Sequence, residues 1–273
     1  MQSLALGPFA ISVEHLLLLI AFFCALFAGW ISSRKSGHTP EPALFTIVLV
    51  AILGARLGFV LRFSDEYLAD PVQIVDIRDG GFWWVSGLAA GTLATLFYLW
   101  RTPLLRRSLS IALVSGGIVW GATAIPLAQI HGSQKRLPDL GLTTLDGTPV
   151  NLRSYTGKPV VLNIWATWCP PCVREMPVLE QAQQDYPQLQ FLFTNLGEDP
   201  IAVESFLREL GVELDNVLLD RQNAISQHYG SLGLPTTLFI DAQGQLRDSH
   251  LGELSTASLK DKLNRLLPDQ APQ

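Results

Sequence analysis

Cysteine is scarce in this chain, with three among 273 residues. So few exclude a multi-disulfide scaffold, and no pair of histidines at ligand spacing follows them to complete a zinc site. Charge is scarce too, at 16 % of residues against about a quarter in ordinary soluble domains. No block of Lys or Arg exists to bind nucleic acid. No Lys or Arg precedes the first apolar run, so the N-terminal segment lacks the basic region of a cleaved signal peptide and is expected to stay attached.

What is abundant is apolar sequence, 48 % of the chain, and it is unevenly placed. Four runs in the first 130 residues are long enough to cross a bilayer, which takes about 20 apolar residues. They are Leu16 to about Ser33, Ala43 to Leu61, Phe82 to Trp100 and Ser108 to Ile130. Residues 1–130 carry net charge +1 and residues 131–273 net −6. The expected organisation is a membrane domain of four helices over 1–130, a linker over 131–138 and a second domain over 139–273. Arg34 and Lys35, and then Arg101, Arg106 and Arg107, put the first and third loops on the cytoplasmic side. The N-terminus, the acidic loop of Asp65, Glu66, Asp70, Asp76 and Asp79, and everything after Ile130 then lie outside.

Three features mark the membrane half. Gly54/Gly58, Gly87/Gly91 and Gly117/Gly121 each place two glycines on one helix face, for packing within the bundle or against another chain. Arg56 lies inside a span, where it is either functional or paired with a loop acid such as Asp76 or Asp79. Cys24 is a small packed hydrophobe with no second thiol in the membrane.

The second half is organised around Trp168-Cys169-Pro170-Pro171-Cys172. An apolar strand, Val160 to Trp165, delivers two cysteines two residues apart to a helix running from Pro171 to about Tyr186. Such a C-x-x-C is half of a zinc site, a static disulfide or a redox pair. The layout favours the last, because a helix N-terminus stabilises a thiolate at Cys169 and Cys172 is placed to resolve a mixed disulfide. Further strands are expected at Gln190–Leu196, Val217–Leu219, Thr236–Asp241 and Gln245–Leu251. Helices are expected at Ile201–Leu210, Gln222–Tyr229 and Ser255–Leu267, with Ser255 as N-cap. Alternating strands and helices with a closing hairpin indicate an α/β fold with a mixed sheet.

Two resemblances extend this reading. Asn163-Ile164-Trp165-Ala166-Thr167-Trp168-Cys169-Pro170-Pro171-Cys172-Val173-Arg174-Glu175-Met176-Pro177, with Gly233-Leu234-Pro235-Thr236-Thr237, is similar to the TlpA/ResA/CcmG branch of the thioredoxin superfamily over about residues 137–268. The resemblance implies a thioredoxin fold and thiol-disulfide oxidoreductase activity on protein substrates. It implies an exposed nucleophile at Cys169, a resolving thiol at Cys172 and an acid near the site at Glu175. Pro235 matches the cis-proline, with Leu234 presenting its backbone to substrate beside Thr236 and Trp168. From spacing alone, Pro235 is equally a proline at a strand start. The branch also implies the reductive direction, as in cytochrome c maturation, fed by a DsbD-like membrane donor, with the domain in the bacterial periplasm. Oxidation of substrates is the alternative direction. No metal or cofactor is expected. Gly54-Ala55-Arg56-Leu57-Gly58-Phe59-Val60 and Asp79-Gly80-Gly81-Phe82-Trp83-Trp84 resemble the N-terminal part of prolipoprotein diacylglyceryl transferases. Where that family carries a functional His before Gly-Gly, this sequence has Val85-Ser86-Gly87. A truncated relative serving as membrane scaffold is therefore expected, with lipid transfer or simple protein docking as the competing functions.

Overall fold

The computed structural model describes residues 3–6, 9–34, 37–131, 135–231 and 233–267. Lys35 of the first loop, residues 132–134 of the expected linker and residues 268–273 lie outside the described residues. The chain divides into two compact units. One comprises Ile11–Val75 and Gly81–Ser133, the other Gln134–Gln273 with Met1–Ala10 and Asp76–Gly80. Two short strands near the N-terminus, β1 (Ser3–Leu6) and β2 (Phe9–Ser12), pair as a separate ribbon.

The first unit is helical: α1 (Val13–Ser33), α2 (Glu41–Arg62), the short α3 (Ser64–Ala69), α4 (Trp84–Arg101) and α5 (Arg106–His131). Among the described residues three stretches are long and apolar enough to cross a membrane: His15–Ser33 in α1, Glu41–Arg62 (α2) and Pro103–Pro126, which runs into α5. The expected span from Phe82 to Trp100 does form a helix, α4. It is only 18 residues long, and Ser86, Thr92, Thr95 and the terminal Arg101 keep it from being apolar throughout. Its packing explains the small residues. A Cβ on Gly54 would lie 2.4 Å from the Ala90 methyl, and one on Gly87 would lie 2.8 Å from that of Ala55. Glycine on each helix thus lets α2 and α4 approach closely. A Cβ on Gly117 or Gly121 of α5 would meet nothing within 4 Å among the described residues.

Arg56 is buried and bound by backbone. Its guanidinium donates to the carbonyls of Ile74 (3.1 Å), Gln73 (2.6 Å) and Gly81 (2.9 Å), with the Tyr67 ring 5.1 Å away. Carbonyls that would otherwise face an apolar surrounding are satisfied by one cation, which pins the turn at Pro71–Ile74 and the start of the Gly81 segment.

The second unit is a seven-stranded mixed sheet. Its strands are β3 (Gly141–Thr144), β4 (Pro149–Asn151), β5 (Val160–Trp165), β6 (Gln190–Asn195), β7 (Val217–Leu219), β8 (Thr236–Ile240) and β9 (Leu246–Leu251), in spatial order β4-β3-β7-β6-β5-β8-β9. β5, β6 and β7 run parallel, and β8 lies antiparallel against β5. All six residues of β5 are buried, as befits a central strand covered on both faces. The pleat sorts them. Val161 and Trp165 join one core with Met176 and Leu179 of α6 (Pro170–Asp185), Val203 of α7 (Pro200–Leu210) and Leu259 of α9 (Thr256–Leu266). Val160, Leu162 and Ile164 join the other with Ile225 and Tyr229 of α8 (Ala224–Tyr229). Leu162 is fully buried, so truncation to Ala would cost about 2–5 kcal/mol.

The C-terminal part of the expected linker makes defined contacts. Leu137 N–H donates to Gly244 O, Leu246 N–H to Lys135 O, and Lys135 Nζ to Tyr229 O. Residues 135–137 are therefore zipped onto the edge of the sheet rather than forming a free connector. The segment Asp76–Gly80 packs with this unit as well, where the buried Asp79 accepts a hydrogen bond from Ser255 Oγ at 2.9 Å.

Candidate active site

Cys169 and Cys172 are joined by a disulfide at the start of α6. Cys169 is the N-cap of that helix, and its sulfur accepts from Cys172 N–H at 3.3 Å. Pro170 and Pro171 fill the first two helical positions, whose N–H groups have no intrahelical partner to lose. A helix whose cap atom is the nucleophile puts the positive end of its dipole on that sulfur, which lowers the cost of a thiolate. Cys169, expected exposed, is only 4 % exposed here, because its sulfur is turned inward to bond Cys172, which is fully buried. The neighbouring Trp168 is 66 % exposed and supplies the apolar surface beside the pair.

Glu175 lies one turn further along α6 and is fully buried. Its Oε1 accepts from Asn163 Nδ2 at 2.8 Å and its Oε2 from the Leu254 N–H at 3.0 Å. Asn163 Nδ2 also reaches Thr237 Oγ1 at 3.0 Å. These groups meet because Asn163 on β5 is directly opposite Thr237 on β8, and both project from the face that α6 covers. Burial pushes the Glu175 carboxyl up to about 8, against the pull of its two hydrogen bonds. At neutral pH the carboxyl therefore holds a proton. Asn163 Oδ1 has no partner among the described residues, so a turned amide could accept that proton's hydrogen bond.

The Leu234–Pro235 bond is cis, as the resemblance implies. Leu234 packs against both cores, and Pro235 O accepts from Gly252 N–H at 2.9 Å.

Residues 132–267 match the family model described as Redoxin. The thiol-disulfide oxidoreductase ResA of Geobacillus thermodenitrificans is 35 % identical over 133 residues, covering 48 % of this chain and 76 % of that protein. The chain belongs to the redoxin family. The ResA of Bacillus cereus is 31 % identical over 160 residues, 55 % of this chain and 92 % of that protein. A crystal structure titled as a thiol:disulfide interchange protein of the thioredoxin family from Chlorobium tepidum is 26 % identical, covers 48 % of this chain and 95 % of its own, and superposes with a TM-score of 0.43. Residues 2–130 match the model described as prolipoprotein diacylglyceryl transferase. This redoxin is thus a thiol-disulfide oxidoreductase of the ResA type joined to a lipid-related helical domain.

The redoxin unit brings Trp168, Cys169, Cys172 and Glu175 together through one strand–helix junction. The Thr236 side chain is held within the fold. That hydroxyl is buried, donates to Gly233 O at 2.8 Å and shares a 2.6 Å hydrogen bond with Ser231 Oγ. Sequence reasoning missed Thr237, the Leu254 N–H and Glu198, whose carboxylate binds the turn before Cys169. Thr237 carried a signal, since it is the second Thr after Pro235. Leu254 carried none, because its backbone and not its side chain is used. Among the described residues no cluster of His, Cys, Asp and Glu is suited to hold a metal ion. In the helical unit, Val85 of α4 occupies the position where the transferase resemblance calls for His, and a valine can move no proton.

Proposed function

We propose that this redoxin is anchored in the bacterial inner membrane by its residues 1–130 and reduces disulfides of periplasmic proteins. The reading rests on one observation above all: the Cys169–Cys172 pair stands at a helix N-terminus with a buried, proton-holding carboxyl one turn away. The apolar helices and the basic loops flanking them support anchoring, with N-terminus and redox domain outside.

In the reduced enzyme, Cys169 thiolate attacks one sulfur of a substrate disulfide. The substrate S–S bond breaks, its leaving sulfur takes a proton, and a Cys169–substrate disulfide forms. Cys172 then releases its proton to solvent and attacks the Cys169 sulfur, while the Glu175 carboxyl one turn away, already protonated, adds no negative charge beside the forming thiolate. The second substrate sulfur leaves and is protonated from solvent. Substrate gains two electrons and the Cys169–Cys172 pair loses two. Re-reduction by a membrane donor of the DsbD kind returns two electrons to the pair, and Cys172 regains its proton from solvent. The donor is required because Cys24 has no membrane partner with which to carry electrons across. Trp168 and the backbone of Leu234 flank the substrate strand, and Pro235 faces the pair. Likeness to ResA favours apocytochrome c or another periplasmic redox protein as substrate.

The test has two arms. A Cys172→Ala variant expressed in cells should accumulate mixed disulfides on Cys169, and mass spectrometry should identify periplasmic partners. A membrane-impermeant maleimide should label reduced Cys169 in spheroplasts. No trapped protein together with labelling only after lysis would overturn the reading. A reduction potential well above the periplasmic poise would turn the direction to substrate oxidation.

A further inference from the structure

The chain leaves β6 through Leu196-Gly197-Glu198-Asp199. Gly197 has φ +73°, and a Cβ there would sit 2.4 Å from Arg221 Cα, so only glycine fits. This turn aims the Glu198 carboxylate at the segment ahead of the cysteines. Oε1 accepts from Thr167 Oγ1 at 2.5 Å and Oε2 from Thr167 N–H at 2.8 Å. Asn195 braces the acid from both sides: its Nδ2 donates to Oε2 at 2.7 Å and its Oδ1 accepts from Glu198 N–H at 3.0 Å. Capping of α7 does not account for Glu198, because that cap is the Asp199 side chain, which accepts from Ile201 and Ala202 N–H.

We propose that Glu198 is a positioning residue of the redox site, clamping the Thr167–Cys169 turn and setting how stable the Cys169 thiolate is. The inference rests on the reading of Cys169 as nucleophile. In the oxidised enzyme the disulfide itself holds this turn. Once it is reduced, the turn is held by the Glu198 clamp, the Cys169 N–H bond to Ala166 O and the Cys172 and Val173 N–H bonds to Cys169 Sγ and O. The clamp therefore acts on the reduced state, where it keeps Cys169 at the cap of α6. The acid also opposes the thiolate, because it brings a carboxylate onto Thr167, two residues ahead of Cys169. Clamp and charge push in opposite directions, and two variants separate them. Glu198→Gln removes the charge and keeps the clamp, since the Thr167 hydroxyl can turn and accept from the new amide. Thr167→Val keeps the charge and the side-chain shape but removes one bond of the clamp.

The experiment equilibrates each full-length variant with glutathione in detergent micelles and measures the reduced fraction, with alkylation rate of reduced Cys169 as second readout. Glu198→Gln should shift the exchange equilibrium toward the reduced form and speed alkylation by threefold or more. Thr167→Val should shift the equilibrium the other way by up to about tenfold, ~30 mV for this two-electron couple. Wild-type equilibrium and alkylation in both variants, even with lowered melting temperature, would show a structural contact only and overturn the inference. So would shifts of the same sign in both. Wild-type enzyme that exchanges with no disulfide at all would instead sink the underlying reading of Cys169.

Discussion

Replacing Glu175 by Gln should change how the redoxin unit's stability depends on pH. The folded carboxyl titrates near 8, against 4.5 for an unperturbed Glu. Between those values the unfolded chain has released a proton that the folded one still holds, so stability falls as pH rises. From below pH 4 to pH 7 the fall amounts to about 3 kcal/mol, and from pH 6.5 to 8 to about 2 kcal/mol. Gln mimics the protonated acid, accepting from Leu254 N–H and donating to a turned Asn163 amide, so the variant should lose this dependence. His250 acts in the opposite sense. Burial holds its imidazole down to about 4, so stability is lost as pH falls from 6.5 toward that value. The two groups therefore oppose one another between pH 4.5 and 6.5, and the Glu175 effect stands alone from 6.5 to 8. Hydrogen exchange of the β5 amides in the oxidised full-length protein measures the opening free energy across that window. Wild type should weaken with rising pH and Glu175→Gln should stay level. Parallel profiles for the two proteins would refute the assignment of a neutral buried acid at this site.

Other consequences follow from single contacts. Thr237→Val removes the hydroxyl shared with Asn163 and should slow release of the trapped mixed disulfide several-fold at pH 7, while Cys169 alkylation stays at the wild-type rate; stopped-flow exchange with a model disulfide checks both. Ser255→Ala removes both the N-cap bond to Ser258 N–H and the acceptor's partner at Asp79, and should lower stability by about 1–2 kcal/mol in denaturant titration. Gly54→Leu forces a side chain into the Ala90 methyl, and should separate α2 from α4 and lower the yield of folded protein in detergent, whereas Gly121→Leu, with open space around it, should not. Arg56→Met leaves three backbone carbonyls without their donor and should make the 70–81 loop protease-sensitive.

Local pattern was enough to place most of the α/β unit. Val160–Trp165 is apolar but for Asn163 and lies between Pro159 and the Cys-Pro-Pro-Cys turn, the pattern of a buried strand. Ser255 precedes an amphipathic run and caps it. Pro170 and Pro171 suit the first turn of a helix, where no N–H bond is lost, and so place the cysteines at its N-terminus. The four apolar runs announced helices by length alone. What pattern could not supply is pairing across distance. Glu175 looks like any helical acid until β5 and β8 set Asn163 opposite Thr237 and the loop before α9 lowers Leu254 N–H onto it. Glu198 is an ordinary loop carboxylate until the parallel register of β5 and β6 ends both strands at one edge and brings it to Thr167. Arg56 announced a buried charge but not its carbonyl partners. Residue type and spacing determined which atoms could do chemistry; strand register decided which of them meet, because a hydrogen bond acts over about 3 Å and only the folded sheet brings groups from distant segments that close.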